Sequence, residues 1–438
     1  MNLIQTSLVV LSLCLTLVLS QVKEYYEQKT VEKLLANYDR RFNPWEYNWS
    51  ANGTVHLGPI NVTVNMYVRS IEYIDSKRMQ WKVQLTYRQK WQDMRLQYDD
   101  RQGIIRYVQL ANPLDTIWVP DMFISNARET YKHVDILPNQ LVRIYPDGWV
   151  LFSIRLTTTM SCPMNLVNYP FDRQVCSIQL ASYGYTTDSL VYMWKEDDPV
   201  QITKNVYLPQ FTLNKYLTSY CTSRTNTGEY SCLKVDLQFT RAPLPYIWQW
   251  FVPMTWLTFL GFISFFVRPA NSGRLQLLLA ILAIQYVHST LSTKWSDSKV
   301  SYTTLRDLYF GVSYVFTFGA LVEYALVWLM DSRHRRQRNR TNQDYSINNN
   351  NNNKRYTNTT GAGDSPDLNV MKPILKYNSL NNEGLNRQSM GSTGTTTTYW
   401  CFNNKLDLAS AILFPILYLG FIIYFICKVT LILDIESI

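Results

Sequence analysis

The chain has 438 residues, enough for two or three domains, with a net charge of +9, 17% charged residues and 47% hydrophobic ones. So little charge at this length argues against an ordinary soluble protein. The basic balance does not point to nucleic acid either, because no basic stripe interleaved with aromatics and no nucleic-acid motif occurs.

Residues 1–20 are apolar and end in small Ser20 before polar Gln21-Val22-Lys23, which reads as a secretory signal peptide lacking a basic start. A signal anchor is the alternative. A helix is expected from about Val22 to Asn37, from its Glu/Lys-rich pattern. Residues 21–243 then alternate apolar and polar positions over many short runs, as in Val62–Val68, Trp81–Tyr87, Leu141–Tyr145 and Trp149–Arg155. Period two means half-buried antiparallel strands. Pro146-Asp147-Gly148 sits between two of them as a hairpin turn. About ten such strands predict a β-sandwich. Sequons at Asn48, Asn52 and Asn61 suit an extracellular face.

Cys162, Cys176, Cys221 and Cys232 form an even set in this region, which suits two bridges in an oxidising compartment. Four cysteines permit three pairings; close spacing favours Cys162–Cys176 and Cys221–Cys232. Cys401 and Cys427 fall outside the set and read as free thiols. Four scattered histidines and no CxxC give no metal site. No phosphate loop or nucleophile elbow suggests an enzyme or a cofactor.

Residues 244–330 carry three apolar blocks, Tyr246–Val267, Leu275–Leu291 and Leu308–Met330, and 405–438 carry a fourth, Leu408–Leu433. Three of them are long enough to span hydrocarbon as helices. The second reads as shorter and more polar, with Gln276, Gln285, Tyr286, His288, Ser289 and Thr290. These residues are costly against lipid, so they should face water or protein. A pore-lining helix is one reading; a core helix of a non-conducting bundle is the other. The basic run Arg333–Arg340 directly follows the third block, where cytoplasmic positive charge belongs. Residues 331–404, with the Asn348–Asn353 tract, are then a cytoplasmic loop of largely disordered composition. The N-terminus and C-terminus are outside.

The four-block layout and the stretch SCPMNLVNYPFDRQVC at 161–176, with Trp118-Val-Pro-Asp121 and Pro253 in the first block, resemble the Cys-loop pentameric ligand-gated ion channels. The second pair, YCTSRTNTGEYSC at 220–232, narrows the resemblance to the invertebrate glutamate-gated chloride channels, with glycine receptors as cousins. The resemblance implies an extracellular β-sandwich on a four-helix transmembrane bundle, joined with four further subunits in a homo- or heteropentamer in the plasma membrane, with a postsynaptic site as one setting. It implies a small amino-acid agonist, permeant ions and lipid as partners, and no nucleic acid. It places Arg69, Arg88 and Ser153 on the complementary face and Ser182, Tyr183, Thr227 and Tyr230 on the principal face. A guanidinium fork grips a carboxylate through two charge-assisted hydrogen bonds, and Tyr183 and Tyr230 offer aromatic faces to an ammonium. Tyr169, Pro170, Phe171 and Asp172 form a coupling loop, expected as an apolar tip resting on the spanning helices near Lys294 to Tyr302.

The pore helix departs from the family pattern. Pro269-Ala270-Asn271-Ser272-Gly273 is similar to the start of this helix in cation-selective members, yet Arg274 follows where those members have Glu-Lys. One register puts Arg274, Gln276, Ala280, Ala283, Val287, Thr290 and Lys294 on the pore. The other exposes Leu277, Ile281, Ile284, His288, Leu291 and Trp295. The first lines water with the more polar stripe, and a ring of Arg274 would attract anions. A glutamate-gated chloride channel is therefore expected, with two alternatives left open. One is a cation channel or a channel gated by another amine, glycine, GABA or protons. The other is a subunit silent as a homomer.

Overall fold

The computed structural model describes residues 24–44, 49–50, 53–54, 58–100, 105–110, 113–204, 206–267, 272–295, 300–358 and 405–435. The signal peptide, Asn48, Asn52, residues 268–271, Cys401 and residues 359–404 lie outside them. The chain divides into two compact units. One comprises Met1–Leu244 with Ser296–Leu305 and Glu436–Ile438; the other comprises Pro245–Trp295 and Arg306–Ile435.

The first unit opens with a helix at 24–35. Two short strands, β1 (Trp49–Ser50) and β2 (Gly53–Thr54), pair with each other. A β-sandwich follows. Its smaller sheet has the order β13 (Phe211–Tyr220), β16 (Cys232–Arg241), β10 (Arg173–Ser182), β6 (Met122–Ile124). Its larger sheet runs β11 (Leu190–Trp194), β3 (Ile60–Asp75), β4 (Gln80–Gln92), β9 (Trp149–Ser161), β8 (Gln140–Ile144), β5 (Val108–Leu110). In addition β12 (Val200–Ile202) pairs with β3 and β7 (Ala127–Lys132) with β9. Among the described residues the two sheets of the sandwich hold twelve strands, more than the expected ten, because β6, β7 and β12 are too short or too polar to stand out as alternating runs. A separate hairpin, β14 (Ser223–Thr225) and β15 (Gly228–Tyr230), projects between β13 and β16.

Alternation is visible in burial. Along β3, Val62, Val64, Met66 and Val68 are fully buried while Thr63, Asn65 and Tyr67 between them are not. Such strands bury one face and leave the other to water. Trp81, Trp91, Leu85, Ile178 and Phe239 fill the space between the sheets. Gly148 closes the β8–β9 turn at φ 81°, a left-handed conformation, and a Cβ there would meet the Asp93 carbonyl oxygen at 2.7 Å, so glycine is required.

In the second unit four helices are long and apolar enough to cross a membrane: Leu244–Phe266, Gly273–Lys294, Leu305–Ile347 and Leu406–Asp434. The helix of the second span runs Ser272–Trp295, 24 residues, so it is not the short element its polar residues suggested. In the first span Pro253 has no N–H to give. The turn before it widens to a π-helix, Ile247–Phe251, whose last bond runs from Val252 N–H to the Ile247 carbonyl. The Trp250 carbonyl there accepts His288 Nε2–H at 3.2 Å. Phe262, Phe265, Leu278, Ala320, Tyr324 and Tyr418 form the bundle core. The third helix runs from Leu305 to Asn358 without a break. Residues 331–358, expected as part of a disordered loop, therefore continue the helix, and Arg335 pairs with Asp331 one turn earlier at 2.7 Å.

Candidate functional site

Strand register brings three of the expected residues to one outward face of the larger sheet. Arg88 on β4 lies opposite Asn65 on β3 and opposite Ser153 on β9. Such cross-strand neighbours sit about 5 Å apart at Cβ, so Ser153 flanks Arg88 on one side and Asn65 on the other. Arg88 donates to Asn65 Oδ1 at 2.9 Å and to Gln201 Oε1 at 3.5 Å. Arg69 sits at the bulge between Val68 and Ser70 and donates through Nε to Thr86 Oγ1 at 2.6 Å. Its guanidinium lies 5.5 Å from the Tyr67 ring. Among the described residues no carboxylate pairs with either arginine. An open groove of about 360 Å³ runs past Arg88 between Thr63, Asn65, Lys90, Trp149 and Lys195.

A second group gathers around Asp121. Its carboxylate accepts from the Ser182 hydroxyl (2.8 Å), Tyr183 N–H (3.1 Å) and Gly184 N–H (2.6 Å). These bonds fix the turn after β10 and leave Tyr183 79% exposed, its ring edge-on to Phe123. Ser182 is buried, and its hydroxyl also accepts Tyr185 N–H at 3.0 Å, so its side chain shapes the turn. Burial, with the charge of Asp121 next, pushes the Tyr192 phenol far above its ordinary range, so it stays neutral. Thr227 and Tyr230 share a hydrogen bond at 2.9 Å across the hairpin. Gly228 lets the hairpin lie against the turn, since a Cβ there would meet Thr186 Cγ2 at 2.6 Å. No hydrogen bond among the described residues joins the arginine face to the tyrosine turn.

Both expected disulfides are present. Cys162–Cys176 connects the end of β9 to β10, and Cys221–Cys232 closes the base of the hairpin. Within the first loop Tyr169, Pro170, Phe171 and Asp172 are all buried. Asp172 is no lone acid. Arg241, at the end of β16, meets it in a bidentate pair (2.7 and 3.0 Å) and lies over the Tyr169 and Phe211 rings. The loop reaches residues 300–305 through its backbone: Leu166 N–H donates to the Tyr302 hydroxyl (2.9 Å), and Leu305 N–H to the Val167 carbonyl (2.8 Å).

In the second span Leu278, Ile281, Gln285 and Ser292 are buried together with Arg274. A helix turns about 100° per residue, so these positions share one face. Gln276, Ala280, Ala283, Val287, Thr290 and Lys294 centre on the opposite face, and all but half-exposed Thr290 are exposed. In the alternative stripe Leu277, Ile284 and Leu291 are exposed while Ile281 is buried. Arg274 does not belong to the exposed stripe: two residues before Gln276 places it about 200° away. It is fully buried and pairs with Glu323 and Asp407 (2.9 Å to the latter).

The family described as neurotransmitter-gated ion-channel ligand binding domain matches residues 27–243. The chain is 46% identical over 304 residues to the glutamate-gated chloride channel of Drosophila melanogaster, covering 69% of this chain and 65% of that protein. It is 35% identical over 314 residues to glutamate-gated chloride channel subunit beta of Haemonchus contortus, covering 70% of this chain and 71% of the relative. The match thus spans just under two thirds of the fly protein. The chain belongs to the neurotransmitter-gated ion-channel family. That family consists of membrane channels, not enzymes.

Sequence reasoning missed Asp121 as the organiser of the tyrosine turn, Arg241 as the partner of Asp172, and Glu323 and Asp407. The last two had a signal: each is an acid within or at the edge of an apolar run, and such acids are paired.

Proposed function

We propose that the chain is a subunit of a glutamate-gated anion channel in the plasma membrane, with its N-terminus and Asn61 extracellular. The observation that carries this reading is the pair Arg69 and Arg88, set on one outward face without a carboxylate partner among the described residues. Two unneutralised guanidinium groups suit a ligand with two carboxylates. Five subunits ring an axis. Agonist enters between the Tyr183/Tyr230 turn of one subunit and the Arg69/Arg88/Ser153 face of the next, and its tighter fit to the closed pocket shifts the equilibrium toward an open pore. The loop from Cys162 to Cys176 passes the movement to residues 300–305 and so to the neighbouring ends of the second and third spans. Gln276, Ala280, Ala283, Val287, Thr290 and Lys294 line the pore. With Arg274 buried, Lys294 is the basic side chain of that stripe, and a ring of it favours anions. Voltage-clamp recording of the expressed chain tests the reading. Glutamate should evoke current whose reversal potential follows the chloride gradient. Current that ignores chloride, or a response to other agonists unchanged by Arg88→Ala, sinks it.

A further inference from the structure

We infer that Glu323 and Asp407 are positioning residues for the pore helix. Together they clamp Arg274, tie one end of the second span to the third and fourth, and make Arg274 part of the gate's mechanics and not of its filter. The inference rests on the second span lining the pore.

Three helices supply the three residues. Arg274 is two residues past Ser272, where the second helix begins, and Asp407 two past Lys405, where the fourth begins. Glu323 lies 18 residues beyond Leu305, about 27 Å along the third helix. In a bundle of alternating direction these positions fall at one end, which the proposed topology places toward the cytoplasm. Arg274 NH1 donates to Asp407 Oδ1 at 2.9 Å and NH2 donates to Glu323 Oε2. Phe265 and Tyr324 flank the guanidinium at 5.8 and 5.4 Å. The planar fork lets one side chain hold two carboxylates on different helices, which a lysine point charge does less well.

The cluster is buried throughout, with Arg274 at 0%, Asp407 at 3% and Glu323 at 5% exposure. Among the described residues Arg274 Nε and Glu323 Oε1 have no hydrogen-bond partner, and the guanidinium's hydrogen bonds there go to these two acids. Parting it from either one leaves a buried charge uncompensated, far costlier than opening an exposed pair. The clamp resists rotation of the pore helix at this end. Because the exposed stripe lies on the opposite side of the same helix, a turn that carries Arg274 away from its acids also turns the stripe. That is the kind of two-arrangement element on which gating acts.

The experiment is a double-mutant cycle on Arg274→Gln and Glu323→Gln, with Asp407→Asn beside it. Each single change should shift the half-maximal glutamate concentration on the order of tenfold. The double change should shift it far less than the two singles combined, and the reversal potential under chloride dilution should stay at its wild-type value. Additive shifts, or a reversal potential moved by Arg274→Gln but not by Glu323→Gln, overturn the clamp. The same cycle is run on the melting temperature of purified protein, which needs no current. There the double variant should be less destabilised than the sum of the singles, and additivity again overturns the inference. A silent wild type whose melting cycle is coupled would instead sink the functional reading and leave the clamp standing.

Discussion

On the outward face of the larger sheet, Arg69 and Arg88 meet, among the described residues, only neutral partners and an aromatic ring. At the end of the smaller sheet, Arg241 is 3% exposed, bidentate with Asp172, bonded to Ser76 and stacked on two rings. The same side chain in the same domain is thus either left unneutralised or fully satisfied. A guanidinium without an anion has charge to spare for a ligand; one enclosed with its anion has none, and its contribution is to hold the chain's course. Asp172 and Arg241 fix the Cys162–Cys176 loop to the last residues of β16, three positions before the first spanning helix begins. What an arginine does here follows from its partners, not from its place in a motif.

That contrast can be broken at either arginine. The largest expected loss comes from Arg241→Ala, which strands Asp172 in the interior. We expect about 3–5 kcal/mol of destabilisation, seen as a collapsed melting temperature and absent surface labelling, and partly rescued by adding Asp172→Asn. Next comes Arg88→Ala. The half-maximal glutamate concentration should rise about 30-fold or more, from the 2–5 kcal/mol of a lost charge-pair partner, with melting unchanged. A melting drop comparable to that of Arg241→Ala would erase the distinction between the two sites. Arg69→Ala, at a more exposed guanidinium, should raise it on the order of tenfold, because less of the pair's energy survives in water. Tyr302→Phe removes the hydroxyl that Leu166 N–H reaches, worth about 1 kcal/mol. It should shift the agonist concentration a few-fold without altering the radioligand affinity of a desensitised preparation. Asn61→Gln is the mildest: gel mobility should change by one glycan and stability by no more than about 0.5 kcal/mol.

Much of this was legible in the sequence, and for physical reasons. Period-two runs such as Val62–Val68 can bury one face only as strands, and four apolar blocks have few fates besides crossing a membrane. The arginine pair and the tyrosines were found as motif positions, and strand register then set Arg88 between Asn65 and Ser153. Arg274 was misplaced although its period was readable: Arg274, Leu278, Ile281, Gln285 and Ser292 recur at helical spacing. A charge at the start of a span reads as a pore ring by its position, but its angle to Gln276 puts it on the other side of the helix. Arg241, Glu323 and Asp407 stayed hidden because their partners lie 69, 49 and 133 residues away in the chain, and pairings over such separations leave no local pattern. The helix from 331 to 358 was missed for the opposite reason: its polar composition speaks against a core, but a helix can extend from a folded span without one.

The two disulfides differ in what they rivet. Cys162 follows β9 of the larger sheet and Cys176 sits in β10 of the smaller, so that bridge pins one layer of the sandwich to the other. Cys221 and Cys232 join neighbouring strands of a single layer, and their bond restrains only the hairpin between them. Both sulfurs of the first bridge belong to residues with no exposed surface, whereas Cys221 of the second is partly exposed. A dissolved thiol therefore meets them in order. A mild reductant should release the hairpin beside Tyr230 first, and a harsher one should be needed to open the bridge between the layers, read by the order in which the four thiols become alkylated.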